Sequence, residues 1–123
     1  MLAKVKLVLK FVYGLFFIMA GISHFTNTAF FVKIVPPYLP WHVALVYVSG
    51  VIEIALGALL ITKRYQAIAG WGLVILLVAV SPANIHMAMN PQLYPQFSLF
   101  FLYLRLVIQV VLVLWAYWYT RKD

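Results

Sequence analysis

A chain of 123 residues has room for one domain, and this one is 67% hydrophobic and only 9% charged, with a mean hydropathy of +1.05. A water-soluble core of this size cannot absorb that much apolar surface, so the composition is that of a membrane protein. The formal charge of +7 gathers at segment ends, where it reads as a topology signal rather than a nucleic-acid surface, and the absence of cysteine excludes disulfide exchange, thiolate metal sites, iron–sulfur clusters and a quinone enzyme working through a Cys pair.

In chain order, residues 5–25 form a first apolar span with Lys4, Lys6 and Lys10 at its start. The charged start resembles a signal peptide, but no small-x-small cleavage site follows, and the segment is expected to be retained as a span. Tyr13, Gly14, Phe17, Gly21 and His24 fall on one helical face, whose small residues mark a packing seam. Residues 26–42 are too short and too rich in proline to span. Phe30, Phe31, Tyr38 and Trp41 suit the headgroup region, so this stretch predicts a short interfacial helix near 28–34 and an extended connection over Pro36–Trp41.

The second span, 43–61, ends in the basic turn Thr62-Lys63-Arg64-Tyr65. One side of it carries His42, Val46, Ser49, Gly50, Glu53 and Gly57 at successive turns. A third span covers 66–89 and contains Pro82, which either kinks it or starts a new turn capped by Ser81, with irregular backbone around Asn84 and His86 in both cases. An uncharged, turn-rich loop over 90–97 leads to the fourth span, 98–119, which closes on Trp115, Tyr117, Trp118 and Tyr119. The pattern predicts an all-α integral membrane four-helix bundle occupying 1–123. Lys4, Lys6, Lys10, Lys63, Arg64, Arg121 and Lys122 lie at one end and only Lys33 in a loop at the other, which predicts a cytoplasmic-membrane protein with both termini cytoplasmic.

Glu53 and Arg105 stand apart from this pattern. Apart from Asp123, Glu53 is the only acid in the chain, and a carboxylate near the bilayer centre costs about 2.5–3.5 kcal/mol on insertion scales. Counted from the same side, Arg105 lies roughly 12 Å into its span and Glu53 roughly 15 Å. The expectation is a buried Glu53–Arg105 ion pair, flanked by Ser49 one turn above Glu53 and Gln109 one turn below Arg105. His24, Asn84 and His86 belong to the same outer half, whereas the inner half is expected to be almost free of polar side chains. Taken singly, the two histidines also suit the headgroup boundary, and the ion pair alone suits a purely structural role. Two His and one Glu are metal-ligand types, but no pair has i,i+3 or i,i+4 spacing on one helix, and no metal site is assigned.

The strings Gly21-Ile22-Ser23-His24-Phe25, Ser49-Gly50-Val51-Ile52-Glu53 with Gly57 and Leu59-Leu60, Pro82-Ala83-Asn84-Ile85-His86-Met87-Ala88 and the proline-rich Pro36-Pro37-Tyr38-Leu39-Pro40 resemble the marks of the DoxX-like family of small bacterial membrane proteins. The resemblance covers nearly the whole chain. It implies a four-helix membrane bundle, polar family positions at His24, Glu53 and Asn84, and, in some relatives, a place in thiosulfate:quinone oxidoreductases or redox complexes. The expectation drawn from residues and resemblance together is a redox-associated subunit. Its outer-half pocket would take a quinone or similar amphiphile among His24, Ser49, Glu53, Asn84, His86, Arg105 and Gln109, roofed by Pro36–Trp41. A small-solute or lipid binder or transporter, and a non-catalytic structural partner in a membrane complex, are the alternatives. Expected partners are the lipid bilayer and either a membrane or redox protein or a second copy of the chain, with no nucleic acid.

Overall fold

The computed structural model describes residues 2–121. Lys122 and Asp123, counted above in the charge pattern, lie outside the described residues. The elements in order are α1 (Leu2–Thr26), α2 (Thr28–Ile34), α3 (His42–Ile61), α4 (Gln66–Met89), a 3-10 turn (Pro91–Leu93) and α5 (Leu99–Trp118). Helices α1, α3, α4 and α5 are each long and apolar enough to cross a membrane, so the chain is a multi-pass four-helix bundle. The four spans and the short helix at 28–34 stand where the hydropathy placed them.

Helices α1 and α3 form the tightest pair, and glycine explains how close they come. A Cβ on Gly14 would sit 2.8 Å from the Gly57 carbonyl oxygen, and one on Gly21 would sit 2.6 Å from that of Gly50. The pairing of 14 with 57 and 21 with 50 makes the helices antiparallel. Backbone meets backbone without side chains between, as small residues permit in membrane helices, where dispersion and fit replace the hydrophobic drive. Helix α4 packs on α3 and α5 on α4. The bundle closes between α5 and α1 through aromatic hydroxyls, with Tyr13 donating to the Leu112 carbonyl at 2.8 Å and Tyr119 to the Lys6 carbonyl at 3.0 Å.

Two apolar clusters fill the interior. The larger holds Tyr13, Phe17, Leu60, Leu73, Leu77 and Tyr119 and occupies the end where α1 starts and α5 finishes. The smaller joins Ile34 of α2 to Met87, Tyr94 and Leu102 at the opposite, loop-bearing end. Helix α5 fully buries only Leu102 and Ala116; Phe101, Leu112, Val113 and Trp115 pack in part against the interior, and exposed side chains such as Phe100, Val107 and Leu114 are left for lipid. At the start of α3, Trp41 adopts a left-handed conformation with φ 54°, unusual for a bulky residue, and its ring is exposed.

Pro82 sits inside α4, and the helix continues through it, so Asn84 and His86 stand on regular helical backbone rather than on the irregular one expected. Ser81 accounts for this. Pro82 has no N–H for the Val78 carbonyl, and the Ser81 hydroxyl donates to that carbonyl instead, at 2.7 Å. The inner half differs from expectation too. Lys6 and Lys10 turn inward and are each about 5% exposed, with the Lys10 ammonium donating to Gln66 Oε1 at 3.1 Å and the Lys6 ammonium to the Arg121 carbonyl at 3.3 Å. Both lysines share the α1 stripe that holds Tyr13, Phe17, Gly21 and His24. Helical phase therefore carried a signal that hydropathy, which reads them only as end charges, did not.

A candidate ligand cavity and its polar groups

The residues expected to form one pocket divide into three groups. The first joins α1 to α3: His24 Nε2 lies 3.0 Å from Glu53 Oε2, and both side chains are about 10% exposed. This overturns the expected Glu53–Arg105 pair. The reason lies in the glycine seam. Gly50 has no side chain, and a Cβ there would stand 2.8 Å from His24 Cβ, so the last turn of α1 lies close on α3 and the imidazole reaches Glu53 one turn on. His24 Nδ1 lies 2.7 Å from the Ala20 carbonyl oxygen, and a carbonyl only accepts, so Nδ1 carries a hydrogen. The contact between Nε2 and Oε2 then requires one proton. Either an imidazolium faces a carboxylate or a neutral imidazole accepts from a carboxylic acid. Both arrangements are neutral overall, which explains how the one acid of the spans is accommodated at that depth.

The second group bridges α4 and α5. Arg105 Nε donates to Asn84 Oδ1 at 3.0 Å, Asn84 Nδ2 donates to Gln109 Oε1 at 2.5 Å, and Gln109 Nε2 donates to the Leu77 carbonyl at 2.9 Å. The Arg105 guanidinium also lies 5.7 Å from the centre of the Phe101 ring. The third group is His86, which faces neither of the others. Its Nδ1 accepts from Asn90 Nδ2 at 3.2 Å, its ring meets Tyr94 edge-on, and its buried Nε2 has no hydrogen-bond partner among the described residues.

Beside the first group lies a cavity of about 270 Å³, enclosed by the end of α1, α2, the connection after it, α3 and α4. Its lining is apolar: Phe31, Ile34, Val46, Leu76, Val80 and Pro82 contribute, and Pro36 and Leu39 close it from the side of the proline-rich connection. The polar side chains that reach it are His24 and Ser49. The Ser49 hydroxyl donates to the Val46 carbonyl at 3.0 Å, so its oxygen lone pairs remain as acceptors. Glu53 stands behind His24, and Asn84, His86, Arg105 and Gln109 do not line the cavity. A pocket shared by His24, Glu53, Asn84, His86 and Arg105 is therefore corrected to a smaller one walled by His24 and Ser49.

Sequence reasoning missed one participant. Phe31 of α2 stacks on the His24 imidazole, with ring centres 4.0 Å apart and planes within 15°. Its position in an interfacial helix gave a reason to place it at a headgroup, and nothing in its spacing pointed to His24. Tyr94 fixes the same helix from the other side, its hydroxyl donating to the Lys33 carbonyl at 3.0 Å. Burial pushes the Tyr94 phenol above its usual value of 10.0. Among the described residues, no three metal-ligating side chains come together.

No curated protein and no solved structure matches the chain. A family model described as Domain of unknown function (DUF8561) matches residues 13–120, a range that runs from the aromatic closure at Tyr13 through the His24–Glu53 pair and Arg105 to the end of the bundle. The chain belongs to the DUF8561 family.

Proposed function

We propose that this protein is a redox-associated subunit of the bacterial cytoplasmic membrane that binds a quinone or similar amphiphile in the α1–α3–α4 cavity. The observation that carries the reading is the His24–Glu53 pair at 3.0 Å, whose His24 lines a cavity that is apolar apart from His24 and Ser49. A quinone head is a flat apolar ring with two carbonyl oxygens, and it needs apolar walls and a hydrogen-bond donor. The cavity, about 270 Å³, is close to the lower end of ligand-pocket sizes, roughly 300 Å³, and fits one ring with part of a tail. Nδ1 is held by Ala20 and Nε2 by Glu53, so a quinone carbonyl would take the place of Glu53 as the acceptor from His24 Nε2, and Glu53 would hold the proton when it is not on the imidazole. The electrons would come from a partner redox protein. The chain's own part is binding and proton exchange. The resemblance of the His24, Glu53 and Asn84 strings to DoxX-like proteins supports the same reading.

The test is binding of a short-chain benzoquinone to the purified full-length protein, followed by tryptophan fluorescence. Ala79 lines the cavity from an exposed position, so Ala79→Trp fills it with little risk to the fold. Binding at least tenfold weaker in Ala79→Trp and in His24→Gln, with thermal stability kept in the former, is the expected result. Equal binding in all three proteins rejects the reading, and copurification of lipid alone with the wild type favours a lipid binder.

The same reading places both termini in the cytoplasm, on the seven-to-one distribution of basic residues between the two ends. The chain has no cysteine, so single cysteines introduced at residues 63 and 93 report cleanly. Labelling by an impermeant maleimide in intact cells is expected at 93 and not at 63.

A further inference from the structure

The cavity beside His24 leaves Arg105 unused, and the surroundings of Arg105 are those of a receptor for an anion. Its Nε is fixed by Asn84, which is fixed in turn by Gln109, and its guanidinium lies against Phe101. Both terminal Nη groups are without a hydrogen-bond partner among the described residues, so an oriented guanidinium edge is left open. Among the described residues the one acid, Glu53, is held by His24 and does not answer it. An arginine inside a membrane span is costly without a counter-charge.

The depth of Arg105 is informative. It stands six residues after Leu99, about 9 Å below the loop end of α5, and its long side chain extends from there toward the headgroup level. Below it, α4 and α5 leave a second hollow of about 310 Å³. This groove runs from Ile85, Leu106 and Gln109 toward Ser81, Val110 and Leu114, that is, from beside Arg105 into the hydrocarbon. Val110 and Leu114 are more than half exposed, so the groove opens to the bilayer rather than to the bundle interior. A cation at the top and an apolar channel beneath it match the two parts of one kind of molecule.

We propose that the α4–α5 face is a binding site for an anionic phospholipid, its phosphate bridged by the two Nη groups of Arg105 and one acyl chain lying in the groove. The guanidinium fork matches two phosphate oxygens in a way that an ammonium does not. The relay through Asn84 to Gln109 holds the fork in place, and Gln109 also lines the groove. The site is independent of the quinone reading, since none of its residues lines the His24 cavity.

The experiment is native mass spectrometry of the full-length protein, delipidated in detergent and titrated with phosphatidylglycerol, with phosphatidylcholine of the same acyl chains, and with inorganic phosphate. The wild type is expected to take up one phosphatidylglycerol at least tenfold more tightly than phosphatidylcholine, and inorganic phosphate is expected not to displace it. Arg105→Gln should remove the preference, and Arg105→Lys should restore only part of it. Val110→Trp fills the groove from an exposed position, so it leaves the bundle intact and should weaken phosphatidylglycerol without touching Arg105. Equal binding of the two lipids by the wild type, an undiminished preference in Arg105→Gln, or full affinity in Val110→Trp each overturns the proposal. Displacement by inorganic phosphate at low millimolar concentration overturns the lipid as the source of the phosphate.

Discussion

His24 and Glu53 share one proton, and this shapes what their replacement does. Each partner alone is a buried polar group, and losing its counterpart leaves it unsatisfied at a cost of about 1–3 kcal/mol, more if it stays charged. The double replacement His24→Ala with Glu53→Ala removes both needs at once. Thermal denaturation in detergent is therefore expected to show each single variant destabilised nearly as much as the double one, with a coupling above about 1 kcal/mol, whereas Glu53→Ala with Arg105→Ala should be additive. The histidine and the acid were both evident in the sequence as polar groups in apolar spans, yet their pairing was not. Depth counting compares positions along the membrane normal only, and by that measure Arg105, of opposite charge and at nearly the same depth, was the better partner, while His24 stood nearer the end of its span. Lateral proximity decided it, and lateral proximity follows from Gly50 lying under His24.

The helices themselves were legible because length and hydropathy leave a membrane segment few alternatives, and the alternative of a new turn starting at Pro82 failed because α4 runs on through it, with Ser81 bonding the carbonyl that Pro82 cannot reach. The α1–α3 contact is the element most sensitive to a single methyl group. Gly50→Ala would place a Cβ 2.8 Å from His24 Cβ and 3.0 Å from the Gly21 carbonyl oxygen, so the helices must part. A loss of about 1–3 kcal/mol is expected, against near neutrality for Val51→Ala on the exposed face of the same helix, both measured by thermal denaturation. Helix α2 depends on a different contact. The Tyr94 phenol is held above its usual value by burial and donates to Lys33, so its neutral form is favoured in the fold. Its contribution is complete below about pH 10 and is lost as pH rises through the higher folded value. Wild type and Tyr94→Phe should accordingly differ in stability at pH 8 and converge as the pH passes 10.

At the scale of the whole molecule, the two ends of the bundle do different things. The end where α1 begins is closed by Tyr13, Tyr119 and inward-turned lysines, while the loop-bearing end holds the cavity, the His24–Glu53 pair and the open edge of Arg105. That division was partly readable, since the costly polar groups of the spans do lie toward the loop-bearing end. Their separation into an α1–α3 pair, an α4–α5 relay and an isolated His86 was not, because a sequence gives the phase of each helix but not which faces meet. The buried Nε2 of His86, left without a partner beside Tyr94, is a local expression of the same limit.

The depth of the His24–Glu53 pair also makes it electrical. Glu53 is eleven residues into a twenty-residue helix, about 16 Å from one end of a span about 30 Å long, so it stands near the middle of the membrane field. With its single proton the pair is neutral, and voltage does not bias it. Adding a proton, or removing the one it holds, moves a charge through roughly half the field, worth about 1.1 kcal/mol per 100 mV. In liposomes holding the protein in one orientation, each proton passed onto or off the pair is expected to move about half an elementary charge through a potassium diffusion potential, in a direction that reverses with the potential, and Glu53→Gln is expected to abolish this current.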